Sequence, residues 1–394
     1  MTLDLSKVAG QVETMASGLK AAEQDLEARR QRARELLLST DFDALKAKLA
    51  RSKTTWLAPR LLSGLAQRHD APACPQDFSV CAADGSHVEA DRHRPVSCYL
   101  INIGGVVLRY GMDANASLTS RPALYTAKED LEMADPAGGQ SERVTGNLLG
   151  GKRSVQECQA LADLLAAQPP EVPRLGLLDG SLIMWGLERY PDYVKFRLLR
   201  EGLLIALDRV KSLPGQVAIA SYISLPQSTE VTNALRVAVC PHDAPDCDRD
   251  CPRTSGRERE CDLIAGVTDR EVFSSLEPGQ RSESFGSGSR VVAEFYREHE
   301  VRFFYLRLPD EIARVEYPAW VEERGLLGLL HTLVLDQCRR GQGYPVSLSE
   351  SHEQAVVTAA DREQFWMLVE SALHGSHLPV FTSAKDWSKR TRWV

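Results

Sequence analysis

The tripeptide Asp-Gly-Ser occurs twice in this chain, as Asp84-Gly85-Ser86 and Asp179-Gly180-Ser181, each time at the end of an apolar run. A carboxylate in that place is costly to desolvate unless a cation or hydrogen-bond donors meet it. The glycine that follows has no Cβ, so a backbone or a ligand can come close. One such tripeptide reads equally well as an Asp-Gly hairpin turn; two on separate apolar stretches point to paired acids. Glu157 offers a third. On a helix through this stretch, Val155, Cys158, Leu161, Ala162 and Leu165 make an apolar stripe, and Glu157 lies at its edge, one turn from Leu161. Three converging carboxylates are hard oxygen ligands that suit Mg²⁺ or Mn²⁺. Two such ions about 3.5–4 Å apart can hold a phosphodiester, activate water and stabilise the leaving oxygen. Without a cation the clustered acids repel one another and raise each other's pKa.

Further along, Tyr344 and His352 stand eight residues apart. Ser347 and Glu350 have capping-box spacing, which predicts a helix starting there, with His352 in its first turn or so and Tyr344 just before it. A neutral imidazole could join a metal shell; a tyrosine hydroxyl could hold a phosphate oxygen or the attacking water. A separate motif is Cys240-x6-Cys247-x3-Cys251-x9-Cys261, set among Pro, Asp and Arg. Four thiolates suit a structural Zn²⁺ or an iron–sulfur cluster, the alternative being ordinary free thiols. Basic residues recur at Arg281 and at Lys385, Lys389 and Arg390, the last three beside Trp387 and Trp393, a mixture that can stack bases and grip phosphates.

These residues need elements to carry them. Residues 1–70 read as a helical arm. Strands are predicted at 78–86, 98–110, 175–183, 217–223, 302–307 and 312–317. Helices are predicted at 154–167, 192–213, 320–340 and 347–373, while 112–150 shows few clear elements. Strands and helices mix without strict alternation, which predicts an α/β fold: a mixed sheet flanked by helices behind an N-terminal helical arm. The expected division is an arm over 1–70 and a domain over 71–394, with the Cys-rich stretch 240–262 as an insertion.

The 394 residues are 43% hydrophobic and 26% charged, which excludes wholesale disorder. A net charge of −7 excludes a nucleic-acid binder that works by bulk positive charge, so DNA contact must use local basic strips or metal ions. The start shows no secretory pattern, and the longest apolar stretch, 325–335, is too short to cross a bilayer. Nine cysteines, an odd number, argue against a disulfide framework and for a cytoplasmic protein without a membrane partner.

The chain resembles the NurA nucleases, partners of the HerA hexameric DNA-translocating ATPase. The resemblance is carried by 83–86, 178–182, Tyr222-Ile-Ser-Leu-Pro-Gln-Ser228, Gly279-Gln-Arg-Ser282, 303–306, 313–320 and 343–356, in that order over about 78–390. It implies an RNase H-like core and a metal-dependent nuclease site. Asp84 then matches the first-strand metal ligand, Asp179 the second strand acid and Glu157 the helical acid. Tyr344 and His352 match the family's Tyr and His beside the metal, His352 as a further ligand or leaving-group stabiliser, and Arg281 lies in a family motif. The resemblance also implies Mn²⁺ as the preferred ion and single-stranded DNA and DNA ends as substrates, with 5′-to-3′ exonuclease and endonuclease action. Homodimers docking on a HerA-type ring would serve end resection in recombinational repair. A non-catalytic adaptor guiding DNA into the ring is the alternative. Two departures stand out: Leu225, where many relatives carry Arg, and the cysteine excursion.

Overall fold

The structure, a computed structural model, describes residues 4–91, 94, 96–251 and 259–378. Its described residues separate into two compact units, one within Pro72–Tyr222, Arg290–Val301 and Glu316–Val394, the other within Met1–Ala71, Ile223–Ser289 and Arg302–Val315.

The first unit is built on β1 (Phe78–Val88), β2 (Tyr99–Tyr110), β3 (Asn115–Tyr125), β4 (Arg174–Asp179) and β5 (Val217–Ile223). Their order is β3-β2-β1-β4-β5. The pairs β1–β2 and β2–β3 are antiparallel, while β1–β4 and β4–β5 are parallel. The parallel strands are covered on both faces, which is why β4 reads as an almost unbroken apolar run, Leu175-Gly-Leu-Leu178, rather than as an alternation. This is the mixed sheet flanked by helices that the sequence predicts.

Two helices, α1 (Gly146–Ala166) and α2 (Val346–Ala355), cover opposite faces. Neighbouring strand residues point to opposite sides, and the glycines of β1 and β2 show which helix lies where. A Cβ on Gly85 or Gly105 would meet side chains of α1, whereas one on Gly104 would meet the backbone of α2. The stripe Val155, Cys158, Leu161, Ala162 and Leu165 is buried against the sheet as its spacing predicts. The helix begins eight residues earlier than expected, running through Gly150 and Gly151. Its amino end is held by Glu89, whose carboxylate accepts the Gly146 N–H at 2.6 Å.

At its carboxyl end α2 is pinned to the sheet. Ser86 Oγ donates to the Ala355 carbonyl at 2.5 Å, and Asn102 Nδ2 to the Ala355 and Gln354 carbonyls at 2.9 and 3.1 Å. Ser86 and Asn102 are cross-strand partners in β1 and β2, so one rung of the sheet satisfies carbonyls that a helix end leaves unpaired. Gly104 lets the helix lie this close: a Cβ there would stand 2.3 Å from the Ser351 carbonyl oxygen and 2.6 Å from the Ala355 nitrogen.

Several expectations are corrected. The capping box at Ser347 and Glu350 is not formed; the helix starts after Pro345, Ser347 is buried inside it, and His352 falls in its last turn rather than its first. The continuous helix expected over 347–373 is broken at Val356. Its second part, Ala359–Gly375, starts with a true capping box between Thr358 and Asp361. The stretch 320–340 is likewise two helices, Ala319–Glu323 and Leu327–Arg340. β3 is a strand where few elements were expected. It is exposed along almost its whole length and carries Pro122, as an edge strand can, and so lacks the apolar signal of a buried one.

In the second unit, the helices Leu5–Ser39 and Phe42–Arg51 are followed by two short strands, Arg60–Leu61 and Arg68–His69. The strands pair with Phe285–Gly286 and Arg281–Ser282. Residues 4–71 are therefore part of this unit rather than a separate helical arm. Ala33, Leu37 and Leu45 share a core with Leu235, Ile264, Phe273, Phe285, Phe303 and Tyr305, although Leu5, Val12, Met15 and Leu19 remain exposed. Among the described residues, no helix is long and apolar enough to cross a membrane.

Gly104→Ala is expected to lower stability by about 2 kcal/mol, because backbone rather than a yielding side chain occupies the space. Urea unfolding measures it; an unchanged midpoint would mean that α2 does not depend on this contact.

Candidate active site

In the parallel pair β1–β4 the last registered partners are Ala83 and Leu178. Asp84 and Asp179 are the next residue on each strand, so the sheet itself sets the two acids side by side. The tripeptides are not hairpin turns: β1 continues through Asp84-Gly85-Ser86 to Val88, and Asp179 closes β4. Each carboxylate is steadied by the amide that follows it, Gly85 N–H donating to Asp84 Oδ1 at 2.7 Å and Gly180 N–H to Asp179 Oδ1 at 3.0 Å.

His352 reaches Asp84 from α2, its Nδ1 lying 2.7 Å from Asp84 Oδ2. A carboxylate only accepts, so in the neutral ring the proton sits on Nδ1 and the exposed Nε2 keeps its lone pair. His352 thus engages Asp84 directly, and any coordination of a metal by its ring would fall to Nε2. Tyr344 packs edge-on against Tyr222, ring centroids 5.5 Å apart. Burial pushes its phenol well above the usual tyrosine range, and the Asp179 and Asp84 charges push it further. Its hydroxyl keeps its proton and is a donor.

Glu157 enters from α1. It is only 8% exposed, and the absent Cβ of Gly85 makes room for it: an ideal Cβ there would stand 2.7 Å from Glu157 Oε1. Arg153, one turn earlier, places its Nε 3.0 Å from the same oxygen, but not in line for a hydrogen bond, and Oε1 has no hydrogen-bond partner. Burial pushes the Glu157 carboxyl up to about 8; Arg153 opposes the rise, while Asp84 and Asp179 add to it. An orphaned, buried carboxylate oxygen beside two more carboxylates and an imidazole is a donor set that fits a hard divalent cation. Asp84, Asp179 and Glu157 are the residues that would hold it.

The tripeptides also contain their own supports. Ser86 anchors α2, and Ser181 Oγ donates to Glu316 Oε2 at 2.8 Å, which also accepts the Leu182 N–H at 2.9 Å. Glu316 was given no role by the sequence reading. The available signal was a lone acid inside the fully buried strand Ile312–Pro318. Arg153 was missed as well, although its spacing of four from Glu157 on a helix marks a partner.

Among the described residues, the group whose ligand atoms all lie within 4.8 Å is a different one: Asp208, Glu298 and His299. Asp84, Asp179, Glu157 and His352 stand wider apart as a set. In that other group His299 Nε2 pairs with Asp208 at 2.8 Å, its Nδ1 accepts from Trp320 Nε1 at 3.1 Å, and Lys211 pairs with Glu298 at 2.8 Å. It could hold an ion only by giving up those bonds.

Arg281 is corrected as a DNA contact. It is buried in the second unit, donates to the Ser282 carbonyl at 2.8 Å and lies over Phe304, so its guanidinium is spent inside the protein. Lys385, Lys389 and Arg390 lie outside the described residues. Leu225 is half exposed at φ 44°, with no charge to offer a phosphate. Cys240, Cys247, Cys251 and Cys261 all line one cavity in the second unit.

The sequence profile of the NurA domain matches residues 78–357, which span both tripeptides, α1, Tyr344 and α2. No curated protein matches the sequence closely enough to count as a relative. Among solved structures, one similar chain is described as the crystal structure of LC9-RNase H1, a type 1 RNase H with the type 2 active-site motif. It is 10% identical, with 41% of this chain and 71% of that chain covered and a TM-score of 0.23. A likeness that slight bears on neither fold nor chemistry.

The raised carboxyl of Glu157 sets a pH dependence. Between its ordinary value of 4.5 and about 8, the metal-free folded chain binds more protons than the unfolded one, so stability falls as pH rises through that window. Glu157→Gln is expected to flatten the slope, read from urea midpoints across the window; a variant with the wild-type slope would contradict the burial of this acid.

Proposed function

Because the chain belongs to the NurA family, a family of nucleases, we propose that it hydrolyses phosphodiesters of single-stranded DNA with divalent metal ions held by Asp84, Asp179 and Glu157. The observation that carries this reading is the placement of Asp84 and Asp179 at adjacent positions of two parallel strands, with a Glu157 oxygen that makes no hydrogen bond lying over Gly85. Mn²⁺ or Mg²⁺ bound there would polarise the phosphodiester and lower the pKa of the attacking water.

The chain's own groups have separable tasks. Asp84 and Asp179 are fixed by strand register and by the amides of Gly85 and Gly180, so their oxygens are preorganised. His352 donates through Nδ1 to Asp84, which fixes the orientation of that carboxylate. Its Nε2 remains able to take a proton from the attacking water or pass one to the leaving oxygen. Tyr344, held protonated by burial and by the neighbouring acids, donates to a non-bridging phosphate oxygen. Glu316 and Ser86 act at one remove: the first holds the loop after Asp179, the second the helix that carries His352. The same reading extends to the family's setting, in which homodimers work with a HerA-type hexameric ATPase in DNA end resection, with 5′-to-3′ polarity. Membership of the family supports that extension.

Asp84→Asn and Asp179→Asn should abolish Mn²⁺-dependent degradation of end-labelled single strands without changing the unfolding midpoint. His352→Ala should slow it by about 100-fold. Retained cleavage in both aspartate variants would overturn the site. Binding of single strands without metal-dependent cleavage by the wild type would favour a DNA-guiding adaptor instead.

A further inference from the structure

The second unit contains a group of residues that phosphodiester chemistry does not use. Cys240, Cys247, Cys251 and Cys261 line a single cavity of about 310 Å³, and none is in a disulfide. The backbones of Cys240, Cys247 and Cys261 are held from outside the stretch that carries them. Lys53 and Asp246 form a bridge, with Lys53 N–H donating to the Pro245 carbonyl at 2.7 Å and Cys247 N–H to the Lys53 carbonyl at 3.0 Å. Asp246 caps the short turn Cys247–Asp250 by accepting from the Arg249 N–H. Lys48 Nζ donates to the Cys240 carbonyl at 2.5 Å, and Arg236 Nε to the Cys261 carbonyl at 2.9 Å. The sulfurs are mutual neighbours. Burial raises the Cys247 thiol, and Cys251 and Cys240 act on it in the same direction; burial, then Asp262, raises Cys261, and Cys251 adds to that rise.

Spacing and charge narrow what four such thiols can take. Tetrahedral zinc, with bonds of about 2.3 Å, draws its sulfurs to about 3.8 Å from one another. Asp208, Glu298 and His299 are the group among the described residues whose ligand atoms close within 4.8 Å. The cysteine sulfurs as a set are therefore wider than a single ion requires, and the four residues border a cavity. A polynuclear core, with several metal atoms between its thiolates, needs that greater spread. Four thiolates around an iron–sulfur core carry net negative charge, and the cavity is lined by two cations, Arg236, stacked 3.8 Å from the Trp56 ring, and Arg259, against one acid, Asp248.

We propose that Cys240, Cys247, Cys251 and Cys261 hold a four-iron, four-sulfide cluster. Its binding replaces four S–H bonds by four Fe–S bonds and releases four protons, with no change in the oxidation state of the protein. The cluster ties residues 240–251 and 259–262 to the helix Glu230–Ala238 and to the segment around Lys53. The proposal does not depend on the nuclease reading.

The test uses the full chain, purified without oxygen, reconstituted with sulfide and equal amounts of ferrous and ferric iron, which supply a two-ferrous, two-ferric core with no further oxidant, and desalted. Iron and acid-labile sulfide are each expected at about four per chain, with a broad visible absorption that bleaches under dithionite. Cys247→Ser and Cys251→Ser should each lose the absorption, whereas Cys74→Ser, at an exposed cysteine elsewhere, should keep it. One zinc per chain with no sulfide, retention of neither metal, or unchanged iron and sulfide in the Cys247 and Cys251 variants would each overturn the proposal. The wild-type measurement decides even if a variant fails to fold.

Discussion

Two carboxylates at neighbouring positions of parallel strands repel each other, and the rest of the first unit is arranged around holding them there. The hydrogen-bond ladder between β1 and β4 fixes the register through Ala83 and Leu178, which leaves Asp84 and Asp179 no choice of neighbour. The burial of Glu157 then brings a third acid to the same end of the sheet, with its carboxyl raised to about 8. A divalent cation would relieve all three at once. On the proposed function, structure and chemistry are linked at this point: an arrangement of acids that is costly by itself is one that a divalent ion and a phosphodiester would make favourable.

The two glycines of the site matter for what they let approach. Gly85 makes space for Glu157 on one face of the sheet, and Gly104 makes space for the backbone of α2 on the other. Each Asp-Gly-Ser tripeptide joins an acid to a serine with a structural task. Ser86 pins the helix that carries His352, and Ser181 meets the buried Glu316. The recurrence of the tripeptide therefore reflects two similar local problems, a carboxylate to be set on a strand and a chain beyond it that has to be held still.

Much of this was legible in the residues. Apolar runs at 78–86, 98–110 and 217–223 marked buried strands because their burial writes itself into composition, and the stripe on α1 did the same at helical spacing. What escaped notice left no such trace. β3 is an exposed edge; the break after α2 depends on carbonyls being capped from β1 and β2, far away in sequence. Ser347 and Glu350 had the spacing of a cap but lay inside a helix that starts after a proline. Arg281 looked like a phosphate contact from its motif, yet its surroundings come from strands remote in sequence, and they bury it. Local pattern identifies elements; it does not say which long-range partners will absorb a polar group.

The central claim is that Asp84, Asp179 and Glu157 share a cation. Calorimetric titration of the metal-free protein with Mn²⁺ tests it most directly, comparing wild type with Asp84→Asn, Asp179→Asn and Glu157→Gln. The account predicts that the wild type binds Mn²⁺ and releases a proton as Glu157 ionises, that the two aspartate variants lose the binding, and that Glu157→Gln loses the proton release. Mn²⁺ binding with undiminished affinity in all three variants would contradict it.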